Sequence, residues 1–147
     1  MIKRLDHAIM VVKNLEESTR IFQNLLHMRP DENESGFIAE LPKFRVAMFP
    51  FIGHARVELI EPKPDVESRF RTFLEEHGEG VMALSFFTDD LNGQIQDLKK
   101  NGFVVEEEIQ AALFPEHPFR IVWVPPQRGY GIWLEFVDTH DLPAFEQ

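Results

Sequence analysis

A chain of 147 residues, 44% of them hydrophobic and 14 of them Phe, is long enough for one domain or for two small modules that share a core. Its 15 Lys and Arg against 25 Asp and Glu give a formal net charge of -10, which disfavours nucleic acids and anionic membrane surfaces as main partners. Cysteine is absent, which excludes disulfides, a thiolate nucleophile and cysteine-ligated zinc.

The sequence also lacks the features of a membrane or secreted protein. No stretch approaches the roughly 20 consecutive apolar residues that a membrane-spanning helix needs. The first residues, MIKRLDHAIMVVKNLEE, lack the uninterrupted apolar run of a signal peptide. We therefore expect a soluble, cytoplasmic protein with no membrane partner.

The first module, about residues 1–62, predicts a β-α-β-β-β unit. An apolar run at residues 5–12 predicts a strand, and Asn14 follows it at the place of a helix N-cap, with Glu17 three residues later as in a capping box. Apolar residues recur at helical spacing after Asn14, which predicts a helix that runs to about Leu26. Three more strands are expected at residues 36–40, 44–50 and 56–61.

A linker helix is predicted between the modules, within residues 63–79. Two prolines precede it, Asp65 is the expected N-cap and Gly78 is the expected stop.

The second module, about residues 80–140, repeats the order of the first. Strands are expected at residues 81–88, 103–108, 119–124 and 131–137, with a helix at residues 90–101. Its acidic stretch VVEEEIQ is typical of an exposed edge strand, where charge discourages aggregation.

Three matched segments support an internal repeat. FRVAMFPF from Phe44 matches FRIVWVPP from Phe119 at an offset of 75 residues, His7 falls on Ala83 at an offset of 76, and Glu58 falls on Glu135 at an offset of 77. We therefore predict an α+β fold in which two modules pack about a pseudo-twofold axis and form a half-closed, eight-stranded cup.

The repeat also singles out candidate functional residues. Glu58 and Glu135 each have apolar neighbours on both sides in the sequence, a poor setting for a carboxylate unless it faces a cavity or has a partner. His7 and both glutamates fall on strands expected to line the cup. Two close carboxylates, with or without a metal ion, suit proton transfer at a carbon next to a carbonyl.

Two passages resemble a known family. LDHAIMVVKNLEES and ELIEPKPDVESRFRTFLEEHGEGV resemble the vicinal-oxygen-chelate superfamily, which includes glyoxalases, bleomycin-resistance proteins and extradiol dioxygenases, and are most similar to methylmalonyl-CoA epimerases. The resemblance implies a glyoxalase-like fold and a divalent metal held by His7, Glu58 and Glu135. Ala83 stands where the family has a fourth ligand, a histidine. One imidazole and two carboxylates suit Co, Mn, Ni, Zn or Fe.

The resemblance implies an isomerase or lyase that acts on a small molecule, such as an acyl-CoA thioester, and works as a homodimer. Glu135 and Glu40 are the expected catalytic carboxylates, and Glu34 competes with Glu40 for its role.

Two alternatives remain open at this stage. One is a related lyase or dioxygenase. The other is a metal-free protein of the same fold that sequesters a ligand among its aromatic residues, namely Trp123, Trp133, Phe86, Phe87 and Tyr130. Arg45 and Arg120 could each hold an anionic substrate or pair with acidic side chains.

Overall fold

The structure is a computed structural model that describes residues 1–32, 36–127 and 131–142. Within these residues there are eight strands and three α-helices. The chain divides into two compact units, one of residues 7–82 and one that joins residues 1–6 to the chain from Ala83 onward. No helix in the described ranges is long and apolar enough to span a membrane.

The first unit has the predicted β-α-β-β-β order. Its sheet order is β2-β3-β4-β1, in which β1 and β4 are parallel and the other pairs are antiparallel. Its elements are β1 (Ile2–Val11), which belongs to this unit from His7 onward, α1 (Leu15–Leu26), β2 (Phe37–Glu40), β3 (Phe44–Pro50), β4 (Arg56–Pro62) and α2 (Arg69–His77), with a 3-10 turn at Pro30–Glu32.

The second unit repeats this order, which confirms the predicted fold class. Its sheet order is β5-β8-β7-β6, again with the first and last strands, β5 and β8, in parallel. Its elements are β5 (Gly80–Thr88), α3 (Leu91–Lys100), β6 (Glu106–Gln110), β7 (Phe119–Val124) and β8 (Trp133–Asp138), with a 3-10 turn at Thr139–Asp141.

The β6 strand starts at Glu106, three residues later than predicted. Phe103 and Val105 instead pack against the apolar cluster of α3. Gly102, with φ of 79°, turns the chain there, and the Phe103 amide donates to the Leu98 carbonyl. As predicted, the acidic strand lies at the edge of the sheet, where β7 is its partner.

Polar side chains fix where the helices begin. The predicted cap of α1 is confirmed, because Asn14 Oδ1 accepts from the Glu17 amide at 2.9 Å. The predicted Asp65 cap of α2 is wrong. Residues 63–66 form a turn closed by the Val66 amide and the Lys63 carbonyl, and Ser68 is the N-cap, accepting from the Arg71 amide at 3.1 Å.

Each sheet uses one face for its helix. In the first unit, residues on that face of β3 and β4, such as Ala47 and Leu59, form a buried cluster with Leu15 of α1. In the second unit, Val122 and Phe136 pack in the same way against α3. Because side chains alternate along a strand, the residues between these core positions point to the opposite face.

Gly36, just before β2, lies where the backbone passes close to Pro30. A Cβ atom at Gly36 would lie 2.0 Å from the backbone carbonyl oxygen of Pro30, whereas a Cβ at Gly131 would meet nothing within 4 Å. We expect Gly36→Ala to lower the free energy of unfolding by about 1–3 kcal/mol, since backbone must move. Gly131→Ala should change it little. Urea unfolding of both variants checks this, and equal midpoints would contradict it.

Candidate functional site

The first unit buries a histidine and a glutamate side by side. The parallel pairing of β1 with β4 places Ile9 opposite Glu58, and His7 lies two residues earlier on the same face. His7 and Glu58 are only 9% and 8% exposed. The His7 Nε2 atom lies 3.2 Å from Glu58 Oε2. The two predicted ligands of this unit are therefore in direct contact.

This spacing fits two ligands of one metal ion. Donor atoms about 2.1 Å from an ion, at about 90–110° to each other, are separated by roughly 3.0–3.4 Å. The same spacing fits a hydrogen bond or ion pair between the two side chains. An imidazole with a carboxylate is also a donor set that divalent transition metals accept.

Arg56 belongs to the same group of polar side chains, although the sequence reasoning did not single it out. It is opposite His7 in the register and two residues before Glu58, so the three share one face. It is only 7% exposed. Its position in the sequence could have identified it, because Arg56 is two residues before Glu58 on the same predicted strand and therefore on the same face.

The second unit holds Glu135 in a different way. The parallel pairing of β5 with β8 places Ser85 opposite Glu135, and the Ser85 hydroxyl donates to Glu135 Oε1 at 2.5 Å. Both are buried, with Ser85 at 0% and Glu135 at 6% exposure. The sequence analysis did not identify Ser85 as a partner for this carboxylate.

Ala83, two residues before Ser85 on β5, is fully buried and offers no donor atom. Among the described residues, no three or more His, Cys, Asp or Glu side chains form a group that could hold a metal ion. The metal site of His7, Glu58 and Glu135 therefore stays a prediction, for which the contact between His7 and Glu58 supplies the structural support.

Glu40 lies apart from this pair. In the sheet register Glu40 is opposite Arg45, and Arg45 is opposite Glu61, whereas Glu58 is three residues away from Glu61 and so points to the other face. The Glu40 side chain is 70% exposed and its Oε1 lies 3.0 Å from Lys63 Nζ. A hydrogen bond from Lys63 lowers the pKa of Glu40. The geometry thus gives Glu40 the surroundings of a surface carboxylate. Glu34 lies outside the described residues.

The two arginines of the repeated FR phrase bind the first turns of the helices. Arg45 of β3 hydrogen-bonds to Glu16 of α1, and Arg120 of β7 donates to Asn92 Oδ1 of α3 at 3.0 Å. The hydrogen bond to Glu16 raises the pKa of Arg45 and lowers that of Glu16. Of the two predicted roles, these contacts favour pairing within the protein over substrate binding.

The aromatic residues predicted for a ligand site divide between the two faces of the second sheet. Phe86 stacks on Phe136 in the α3 core, with ring centroids 5.7 Å apart. Trp123 is opposite Glu135 in the register, and its ring meets that of Trp133 edge to face at 6.2 Å. Phe87 lies 4.7 Å beneath the Arg4 guanidinium, and Tyr130 lies outside the described residues.

Comparison with known proteins gives one family. Residues 6–120 match the family model described as the Glyoxalase/Bleomycin resistance protein/Dioxygenase superfamily. No curated protein sequence is significantly similar to the chain.

Several solved structures share the fold at low sequence identity. A hypothetical protein from Bacillus halodurans is 22% identical, with a TM-score of 0.75 and an alignment that covers 92% of this chain and 94% of that one. Methylmalonyl-CoA epimerase from Mycobacterium tuberculosis is 21% identical (TM-score 0.73, 98% and 91% covered). A variant of the Streptomyces coelicolor methylmalonyl-CoA epimerase, in complex with 2-nitronate-propionyl-CoA, is 20% identical (TM-score 0.74, 94% and 98% covered).

The contact between His7 and Glu58 can be measured by a double-mutant cycle. We expect His7→Gln and Glu58→Gln to show a coupling energy of about 1–3 kcal/mol, because both side chains are buried and in contact. The exposed pair His77 and Glu76, 3.8 Å apart with side chains 62% and 66% exposed, is the control and should show almost no coupling. Urea unfolding in the presence of a chelator gives both values. Equal coupling in the two pairs would show that the buried contact does not form.

Proposed function

Because the chain belongs to the Glyoxalase/Bleomycin resistance protein/Dioxygenase superfamily, we propose that it is a metal-dependent isomerase or lyase. The reaction we propose is proton transfer at a carbon next to a carbonyl, as in a methylmalonyl-CoA epimerase. Structures of such epimerases are among its neighbours in fold.

The observation that carries this proposal is the buried contact between His7 and Glu58. A carboxylate taken out of water needs compensation from a partner or an ion. In the first unit this carboxylate is beside an imidazole, at the two strand positions that the repeat relates to Ala83 and Glu135. The pair thus combines the donor chemistry of a metal site with a buried position.

We propose His7, Glu58 and Glu135 as the residues that hold the metal. Bound there, a divalent ion would polarise a carbonyl oxygen and stabilise the negative charge of an enolate. The His7 ring would contribute a nitrogen donor, and the two glutamates would contribute oxygen donors and negative charge. Exchange of the proton between the two faces of the carbon requires an acid and a base. Glu135 stays the sequence-based candidate for one of these roles, whereas Glu40, the other sequence-based candidate, points to the opposite face of the first sheet from Glu58.

The proposed substrate is a small carbonyl compound, with an acyl-CoA thioester as the first choice. The support is the Streptomyces coelicolor structure, in which an epimerase of the same fold is in complex with 2-nitronate-propionyl-CoA. We also propose that the protein is cytoplasmic and acts as a homodimer.

Metal content and turnover should depend on the same residues. After removal of metal by a chelator and reloading with cobalt, manganese, nickel or zinc, we expect about one ion per chain and exchange of the proton next to the carbonyl of methylmalonyl-CoA with deuterium from solvent. Glu58→Gln and Glu135→Gln should lose ion and exchange together, because each removes an anionic donor. Proton NMR follows the exchange, and elemental analysis gives the metal content.

Glu107→Gln is the matched control, since this side chain is 48% exposed and lies beside Lys99 and Arg120 at the surface. It should keep metal and exchange. Exchange that continues in the metal-stripped protein would refute the metal-dependent mechanism, and native protein with neither metal nor exchange would refute the proposed function.

A second function, metal-free binding of an aromatic ligand, is favoured by one observation. Trp123 and Trp133 contact each other on the face that carries Glu135, away from the α3 core. Trp123 is buried and Trp133 is partly exposed, so the Trp133 ring is the one available to stack on an aromatic ligand. The buried Ala83 at the predicted fourth ligand position also suits a protein that has lost metal binding.

This second function predicts that aromatic ligands quench tryptophan fluorescence in the presence of a chelator. Ala83→His should then introduce metal binding that the native protein lacks. A broad panel of aromatic compounds that causes no quenching would count against this function, as would stoichiometric metal in the native protein.

A further inference from the structure

Exposed apolar side chains lie on the helix side of the first unit. Ile21 and Leu25 are one turn apart on α1 and are 47% and 68% exposed. Ile38 of β2 is 50% exposed and is opposite Ala47, which belongs to the buried cluster beneath α1. Ile38 therefore lies on the same side of the sheet as the helix. We call Ile21, Leu25 and Ile38 the α1–β2 surface.

The helix of the second unit is polar at the equivalent positions. At the offset of 76 residues between the modules, Ile21 corresponds to Asp97 and Leu25 corresponds to Asn101. Helix α3 packs on its sheet with Asp97 in its last turn and Asn101 as its C-cap. Packing of the helix on the sheet therefore does not require apolar residues at these two positions.

The edge strands show the same difference. Ala47 of β3 is opposite Ile38, whereas the equivalent Val122 of β7 is opposite Glu107. The next position on this face of β6 has an apolar residue, Ile109, which is 64% exposed. In the described part of the chain, the first unit alone combines an exposed apolar residue on its edge strand with exposed apolar residues on the helix that covers its sheet.

We propose that the α1–β2 surface is the interface between two copies of this chain, with α1 packed antiparallel against α1 of the partner subunit across a twofold axis. A twofold contact is self-complementary, so Ile21 packs on Leu25 of the partner subunit and Leu25 packs on the partner's Ile21. This inference rests on the homodimer in the proposed function, to which it assigns a surface, and it does not depend on the proposed reaction.

The charges along α1 favour a second copy in this orientation. Glu17 lies in the acidic first turn, and Arg29 follows the end of the helix. In an antiparallel pair, Glu17, one turn before Ile21, lies beside the partner's Arg29, four residues after Leu25. A parallel pair would bring two acidic first turns together, and like charges would oppose it. The ion pair of Arg29 with Glu32 lies at the surface, where such pairs contribute little, so Arg29 can also serve Glu17 of the partner subunit.

Analytical ultracentrifugation of the full chain tests the interface. We expect a native dimer whose dissociation constant rises at least about 100-fold in the double variant Ile21→Asp, Leu25→Asn, because the twofold removes four apolar side chains from the interface. The variant gives α1 the residues that α3 has, so the fold should tolerate it. Ile38→Glu should weaken the dimer by about 10-fold or more. Circular dichroism checks that each variant is folded.

Ile109→Glu is the matched control, since Ile109 is also an exposed isoleucine on an edge strand, but in the second unit. It should leave the dissociation constant unchanged. Equal dissociation in Ile109→Glu and in Ile38→Glu would overturn the proposed interface, because added surface charge alone would then explain the effect.

A charge exchange tests the antiparallel orientation. Glu17→Arg brings two cations together at each end of the helix pair and should weaken the dimer about 10-fold. Glu17→Arg combined with Arg29→Glu restores opposite charges and should regain most of the affinity. Equal losses in the single and the combined variant would overturn the antiparallel arrangement.

The outcomes separate this inference from the proposed function. A native dimer that stays intact in both Ile38→Glu and the double variant of Ile21 and Leu25 would overturn the interface and leave the homodimer in place. A native protein that is monomeric at every concentration measured would overturn the interface and the homodimer together. The deuterium exchange of methylmalonyl-CoA tests the reaction independently of both.

Discussion

The parallel pairing of the first and last strands in each unit is the constraint on which the candidate site depends. It sets Ile9 opposite Glu58 and Ser85 opposite Glu135. Side chains alternate along a strand, so a slip of one residue would turn either glutamate toward the helix side of the sheet. Burial of the alternate residues against α1 and α3 opposes such a slip. The apolar core thus fixes the position of the polar residues on the other face.

The recurring arginines illustrate how the helices are held against the sheets. Arg45 and Arg120 begin from equivalent places on β3 and β7, and their partners, Glu16 and Asn92, occupy equivalent places in the first helical turn. Glu16 is an acidic residue near a helix N-terminus, where negative charge is favourable. The arginine of the repeated FR phrase, the first sign of a duplicated unit in the sequence, therefore makes the same contact between strand and helix in each unit.

The sequence was sufficient for the order of the elements, because the repeat allowed each half to check the other. It was insufficient for the face of Glu40. Phe37, Ile38 and Ala39 precede it, and three consecutive apolar residues give no alternation from which a face can be read. Caps were decided by competition between nearby residues. Aspartate and serine are both common N-cap residues. Because Asp65 lies within the turn at residues 63–66, the helix begins after Ser68, which is its N-cap.

The two buried glutamates have different partners, but each partner compensates for the loss of hydration of a buried carboxylate. Each carboxylate has left water, so each needs a polar partner. An imidazole can serve as that partner and can also donate a nitrogen lone pair to a metal ion. A serine hydroxyl serves well as a hydrogen-bond donor but is a weak metal donor. The first unit pairs its carboxylate with an imidazole, Glu58 with His7, while the second pairs Glu135 with the Ser85 hydroxyl. Ala83, at the strand position that the repeat relates to His7, offers no polar atom, and in the second unit it is the serine two residues further along the strand that hydrogen-bonds to the carboxylate.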